Sequence, residues 1–241
     1  MQPSFHIAKA TIDSTTIPYM NLLMSLMWIA RNTRPDILYA VIYLSQFSNA
    51  YSDAHYMALR LVLKYLIGSM KRCLIYKYPN PEKTLKIEAY TDSDWAGDPS
   101  DRKSYSGSMI YIENALVAWN CGKQKTVSTS SCEAEYMAAS TAAKEVLGVL
   151  NILKSFTTIE MPITMYQDNI GATYLTKNDI HNKRSKHIDI RYHHVRDLVS
   201  QKVLKMEYIK TKENIADIQT KALPRASFED HCKTFLTLQT S

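Results

Sequence analysis

Glycine and proline are scarce, six and eight among 241 residues, and charged residues make up only 22%. A chain this poor in breakers and charge, with 46% apolar residues, is not broadly disordered. It can fill a core as one large domain, or as one domain with an appendage. Cysteine is rare too. Cys73, Cys121, Cys132 and Cys232 stand far apart, so there is neither a zinc-binding spacing nor a dense disulfide framework, and a reducing compartment is the simpler setting. No apolar run approaches the roughly 18–20 residues that a membrane span needs. The start, M-Q-P-S-F-H-I-A-K-A, lacks an apolar run behind a basic end, so no signal peptide is expected. No His/Cys cluster offers soft metal ligation. The net charge of +6 gives slight support for a polyanionic partner. Met24, Met27 and Met57 fall within apolar helical patterns and read as packing.

Against this background the chain changes character once. Residues 18–30 read as a helix begun by Pro18. Asp36 is placed to cap the apolar stretch that follows it. Residues 53–67 recur at helical spacing, with Leu59, Val62, Leu63 and Leu66 on one stripe, and Gly68 ends them. Beyond Tyr78, P-N-P-E-K reads as a turn. Strands are expected at 86–92, 105–112 and 115–121, with E-N-A as the turn of the last pair. A helix of about seven turns then starts at S-S-C-E-A-E. I-T-M-Y-Q-D is a fourth strand, N-I-G-A-T-Y-L-T-K a short helix, 188–201 helical and L-K-M-E-Y-I-K a fifth strand. A last helix runs through E-N-I-A-D-I-Q-T-K-A-L. Strands first, then alternating helix and strand, describe an α/β domain on a mixed sheet. The expected division is a helical region over 1–78, the α/β domain over 79–223 and a tail over 224–241.

Carboxylates recur where this arrangement has ends. E-A-Y-T-D-S-D-W-A-G-D closes the first strand on Asp92 and Asp94, which alternation puts on one face, so spacing does not choose between them. The apolar stripe of the long helix, Ala138 or Ala139, Ala142, Val146, Val149 and Leu153, extends back to Glu135. Glu133, two residues earlier, faces elsewhere. Asp168 ends the fourth strand, where it is either a helix N-cap or a neighbour of Asp92 at the carboxyl ends of parallel strands. Asp217 lies in the last helix, solvated or part of the same set. Ionised acids crowd together only around cations, and hard oxygen ligands select Mg²⁺ or Mn²⁺.

These motifs carry a resemblance. Y-T-D-S-D-W-A-G-D at 90–98, D-R-K-S-Y-S-G at 101–107, S-T-S-S-C-E-A-E-Y-M-A at 128–138, M-Y-Q-D-N at 165–169, K-H-I-D-I-R-Y-H-H-V-R at 186–196 and T-K-E-N-I-A-D-I-Q-T-K-A-L at 211–223 resemble, in that order, the ribonuclease H region of reverse transcriptases from Ty1/copia-class LTR retrotransposons, most of all the yeast Ty5 element. T-R-P-D-I-L-Y-A-V at 33–41 is similar to the family's connection between polymerase and ribonuclease H. The resemblance implies a ribonuclease H-like five-stranded mixed sheet with flanking helices, preceded by a helical appendage. It implies Mg²⁺-dependent hydrolysis of the RNA strand of an RNA–DNA hybrid, with two ions (Mg²⁺, or Mn²⁺ in its place) held by Asp92, Glu135, Asp168 and Asp217. Asp92 would bridge both ions, Glu135 and Asp168 would complete one ligand set, and Asp217 would serve the other. The family's T-D pattern favours Asp92 over Asp94.

Three departures accompany it. Met24 stands where related elements carry Gly, in the block matching N-L-L-M-S-L-M-W. T-K-E-N stands where many cellular ribonucleases H carry a mobile histidine, and the polymerase's Y-V-D-D-like motif is missing, as are protease and integrase motifs. The chain therefore resembles a truncated piece of a polyprotein. Its expected partners are the hybrid and a polymerase region not in this chain, and its expected compartment is the cytoplasm, a virus-like particle or the nucleus. Lys183, Arg184, Lys186, Arg191 and Arg196 surround a single acid, Asp189, and are the candidate phosphate contacts. Two alternatives stand beside catalysis on the hybrid: a non-catalytic nucleic-acid-binding relic, and a DNA-cutting nuclease of the same fold.

Overall fold

In the computed structural model, which describes residues 17–76, 84–177 and 194–239, the chain divides into two units. One is Tyr76–Thr220; the other joins Met1–Ile75 to Lys221–Ser241. The helical unit holds α1 (Tyr19–Asn32), a 3₁₀ turn (Pro35–Ile37), α2 (Leu38–Ser45), α3 (Asp53–Gly68), β1 (Arg72–Cys73), α7 (Arg225–Cys232) and β7 (Thr237–Leu238). The larger unit holds β2 (Ile87–Asp94), β3 (Tyr105–Ile112), β4 (Ala115–Lys123), α4 (Ser131–Leu153), β5 (Ile163–Gln167), α5 (Ile170–Lys177), α6 (194–200) and β6 (Leu204–Tyr208), then two 3₁₀ turns, Thr211–Glu213 and Ile215–Gln219.

The mixed sheet expected from the sequence is present, in the order β4-β3-β2-β5-β6. β2 runs antiparallel to β3, and β3 to β4, while β2–β5 and β5–β6 are parallel. Glu113 and Asn114 join β3 to β4 with φ of 49° and 67°, the two left-handed residues of a tight hairpin. Lys86 N–H donates to Glu113 Oε1 at 2.8 Å and so ties that turn to the entrance of β2. α4 packs on β2 and β3 through Ala139, Ala142, Ala143, Val146 and Leu150, all fully buried against Ile87, Ala89, Ile110, Ile163, Met165 and Met206. Its small residues let the helix axis approach the sheet. Its large ones supply roughly 1.5–3 kcal/mol each through burial.

Several elements differ from expectation. β2 runs two residues further, to Asp94, because its pairing with β3 continues to Asp94 opposite Tyr105. α4 ends at Leu153. The expected last helix is instead a pair of 3₁₀ turns: Asp217 N–H bonds Asn214 O and Thr220 N–H bonds Asp217 O, both at 3.2 Å and both three residues back. Asn214 holds this tighter winding by accepting from Ala216 N–H at 3.2 Å while donating to Thr91 O at 3.0 Å.

In the helical unit, Asp36 does not cap a helix. Its carboxylate is buried and takes two bonds from Arg34, at 2.9 and 2.6 Å, and one from Tyr65 Oη at 2.6 Å. Leu59, Val62 and Leu66 form the buried stripe of α3, but Leu63, about 100° from Val62, is exposed. Met24 and Met57, read as packing, are 58% and 56% exposed. Residues 225–239 contribute elements to this unit: β7 pairs with β1, Arg72 binds Glu229 at 2.7 Å, and the Phe228 ring meets Tyr65 edge-on.

Candidate metal centre

Three elements converge on one point. β2 brings Asp92, α4 brings Glu135 from its second turn, and the exit of β5 brings Asp168. One oxygen from each carboxylate lies within 4.8 Å of the other two, with Asp92 and Glu135 buried and Asp168 half-buried. The parallel register produces the first pairing. Tyr90 is opposite Tyr166, so two residues on Asp92 and Asp168 emerge side by side at the carboxyl edge, where open sheets place their ligands. Ser93 N–H donates to Glu135 Oε1 at 3.2 Å and fastens the α4 carboxylate to the strand that carries Asp92.

The same geometry sorts the acids that competed for the role. Asp94 belongs to the following turn: a Cβ on Gly97 would fall 1.8 Å from Asp94 Oδ2, so that carboxylate lies directly over the glycine. Ala96, at φ 53°, completes this tight turn in the left-handed region. Glu133 caps its own helix end, accepting from Thr129 N–H at 2.7 Å and Thr129 Oγ1 at 2.6 Å. Asp168 is not the N-cap of α5. Asn169 is, accepting from Ala172 N–H at 2.9 Å, which leaves Asp168 to the cluster. Asp217 is buried on the 3₁₀ turn that packs against β2 and β3, outside the trio.

Two other acids have structural partners. Glu145 accepts from Asn120 Nδ2 at 2.5 Å and from Ser108 Oγ, and burial pushes its pKa up. Burial would also raise Asp98, but Lys123 Nζ at 2.5 Å and Ser100 hold it down at about 2. Cys132, one turn before Glu135, has its thiol pKa raised by burial and by that carboxylate.

Lys183, Arg184, Lys186 and Arg191 lie outside the described residues. Arg196 is half-buried on α6. Trp95 is 49% exposed, and its Nε1 donates to Ser128 O at 3.1 Å.

Sequence reasoning missed Asn214, Thr220 and Gly107. Thr220 Oγ1 donates to Asp92 Oδ2. Gly107 sits opposite Asp92 on β3 and leaves room for Gln219 and Thr220, whose atoms lie 2.7 and 2.8 Å from where its Cβ would be. A signal was available. Asn214, Asp217 and Thr220 recur every third residue, and such residues eclipse one another on a 3₁₀ helix.

The donor set fits a hard divalent cation. It is all carboxylate oxygen, drawn from three separately anchored elements and partly desolvated, an arrangement in which opposite charge is strongly favoured.

No protein-family model matches the chain. The retrovirus-related Pol polyprotein from transposon RE1 of Arabidopsis thaliana is 36% identical over 95% of this chain and 15% of its own length. The putative transposon Ty5-1 protein of Saccharomyces cerevisiae is 30% identical over 60% of this chain and 46% of its own. Among solved structures, LC11-RNase H1 in complex with RNA/DNA hybrid aligns with a TM-score of 0.44 and 17% identity, over 56% of this chain and 94% of that one. The chain spans about 15% of the RE1 polyprotein's length. From these relatives and the order of its motifs, the chain belongs to the Ty1/copia-type family of retrovirus-related Pol polyproteins.

Proposed function

We propose that this chain is the ribonuclease H portion of a retrotransposon reverse transcriptase, cutting the RNA strand of RNA–DNA hybrids to leave a 5′-phosphate and a 3′-hydroxyl. The observation that carries the reading is the convergence of Asp92, Glu135 and Asp168, with an oxygen of each within 4.8 Å of the others. Two Mg²⁺ or Mn²⁺ ions, when bound, would activate water and neutralise the leaving oxygen. The chain's own contribution is to hold the acids. Asp92 and Asp168 are fixed by strand register, Glu135 by the Ser93 N–H, and Asp217 completes the set from the 3₁₀ turn. Relatives that are transposon Pol polyproteins support the reverse-transcription setting, in which the polymerase region is the partner. The basic residues between Lys183 and Arg196 would track phosphates without reading bases, and duplex shape with 2′-hydroxyl contacts would distinguish a hybrid.

The test is purified chain with a hybrid labelled on each strand, in Mg²⁺ and in EDTA. RNA-strand cleavage that needs Mg²⁺ is expected. Asp92→Asn should abolish it with circular dichroism unchanged, and Asp94→Asn should be milder because that carboxylate lies over Gly97 in the turn, outside the trio. Binding without cleavage would make the chain a nucleic-acid-binding relic, and cleavage of duplex DNA would make it a different nuclease. An active Asp92→Asn beside a dead Asp94→Asn would overturn the site.

A further inference from the structure

Thr220 is fully buried and ends the 3₁₀ segment that carries Asp217. Its hydroxyl oxygen has two acceptors in reach, Asp92 Oδ2 and, at 3.2 Å, Asp217 O. A hydroxyl has one proton to donate, and a carboxylate is the stronger acceptor, so the proton goes to Asp92. At the other end of the segment Asn214 Nδ2 donates to Thr91 O at 3.0 Å. The segment is thus clamped to consecutive residues of β2, Thr91 and Asp92, by two polar side chains six residues apart, with Asp217 midway between them. Gly107 makes the close approach available, since a Cβ there would stand 2.8 Å from Thr220 Cγ2 and 3.1 Å from Ala216 O.

We propose that Thr220 is a positioning residue of the cation site: its hydroxyl fixes the plane of the Asp92 carboxylate and locks that carboxylate to the segment bearing Asp217. A carboxylate's last torsion is soft, so losing the donor on Oδ2 loosens the orientation of Asp92 relative to its neighbours. Hydrogen-bond partners of metal ligands act in this way, and losing one costs about 10–100-fold in metal affinity or activity. The inference rests on reading Asp92, Glu135 and Asp168 as a cation site.

Binding of Mn²⁺ alone, followed by the loss of the free-ion signal in electron paramagnetic resonance, tests it without any substrate, on the full chain and on Thr220→Val, Thr220→Ser and Thr220→Ala. The Mg²⁺ midpoint for hybrid cleavage is measured in parallel, and circular dichroism checks the fold. Thr220→Val should weaken Mn²⁺ binding by about tenfold and raise the Mg²⁺ midpoint similarly, while Thr220→Ser, which keeps the hydroxyl, should recover most of both. If Thr220→Val does not fold, the comparison of Ser with Ala decides: Ser tighter than Ala supports the role, and Ser equal to Ala overturns it. A Val variant that binds like the unaltered chain, or a Ser variant as weak as Val, also overturns it. An unaltered chain that takes up no Mn²⁺ would instead overturn the cation-site reading itself.

Discussion

Asp98 is buried four residues beyond the end of β2 and holds Lys123 at 2.5 Å and the Ser100 hydroxyl at 2.6 Å. Its pKa of about 2, below the ordinary 3.8, means the unfolded chain binds the proton more tightly than the folded one. Its stabilising contribution is therefore complete above pH ~4 and is lost as pH falls through about 2. The difference is worth on the order of 2 kcal/mol. Urea melts between pH 5 and 2 check this. Asp98→Asn should be less stable than the unaltered chain at pH 5, and the gap should close toward pH 2. A gap that stays constant with pH would mean that the ion pair contributes nothing that titrates. At this scale the sequence was informative about residue type and ambiguous about role. Asp92 and Asp94 are two apart and equivalent by alternation. Spacing does not separate them; the T-D motif favours Asp92, and the Asp94 carboxylate's position over Gly97 and the Asp92 oxygen's position near those of Glu135 and Asp168 agree with it. Asp168 likewise read equally as a helix cap or as a neighbour of Asp92, and the structure gives the cap to Asn169.

At the scale of elements, the strands in their succession and the long helix were legible because they rest on apolar periodicity, which local spacing carries well. The last segment was not. N-I-A-D-I-Q has helical composition, but its winding is set by Asn214 reaching Thr91, 123 residues away in sequence. No local pattern encodes that partner. The same docking makes Gly107 a sensitive position. Gly107→Ala would drive a Cβ to 2.7 Å from Gln219 Cβ and 2.8 Å from Thr220 Cγ2. Gln219 Cβ is bonded directly to the backbone, and the Ala216 carbonyl oxygen at 3.1 Å is backbone itself, so the 3₁₀ turn must move. We expect a loss of about 1–3 kcal/mol and weaker Mn²⁺ uptake, because Thr220 and Asp217 shift together. Gly122→Ala on β4, where a Cβ meets nothing within 4 Å, is the control and should stay within about 0.5 kcal/mol of the unaltered chain. Equal stability and Mn²⁺ affinity in the two variants would show that the segment is not docked as closely as the glycine contact requires.

On the scale of the whole molecule, the three acids of the cluster, with Ser93 and Thr220 that bond to them, belong to Tyr76–Thr220. The helical unit is instead a composite of both chain ends. β7 pairs with β1, and Arg72 binds Glu229, so α7 and β7 are part of its structure. It also carries apolar side chains in water: Met20, Met24 and Trp28 recur every fourth residue along α1, and Met57 and Leu61 along α3, with Trp28 66% exposed. Apolar patches of more than a few hundred Å² commonly mean association. A chain of residues 76–220 should therefore fold alone, bind Mn²⁺ with the affinity of the full chain and stay monomeric where the full chain associates. A chain cut after residue 223 keeps the exposed apolar positions but loses the β1–β7 pair and the Glu229 partner. Its helical unit should melt earlier, in a transition separate from that of the sheet. Denaturant melts and light scattering on the three lengths test both statements. A shortened chain 76–220 that is unfolded, beside a full chain that is soluble and monomeric, would mean that the helices supply core to the sheet and that the two units fold as one.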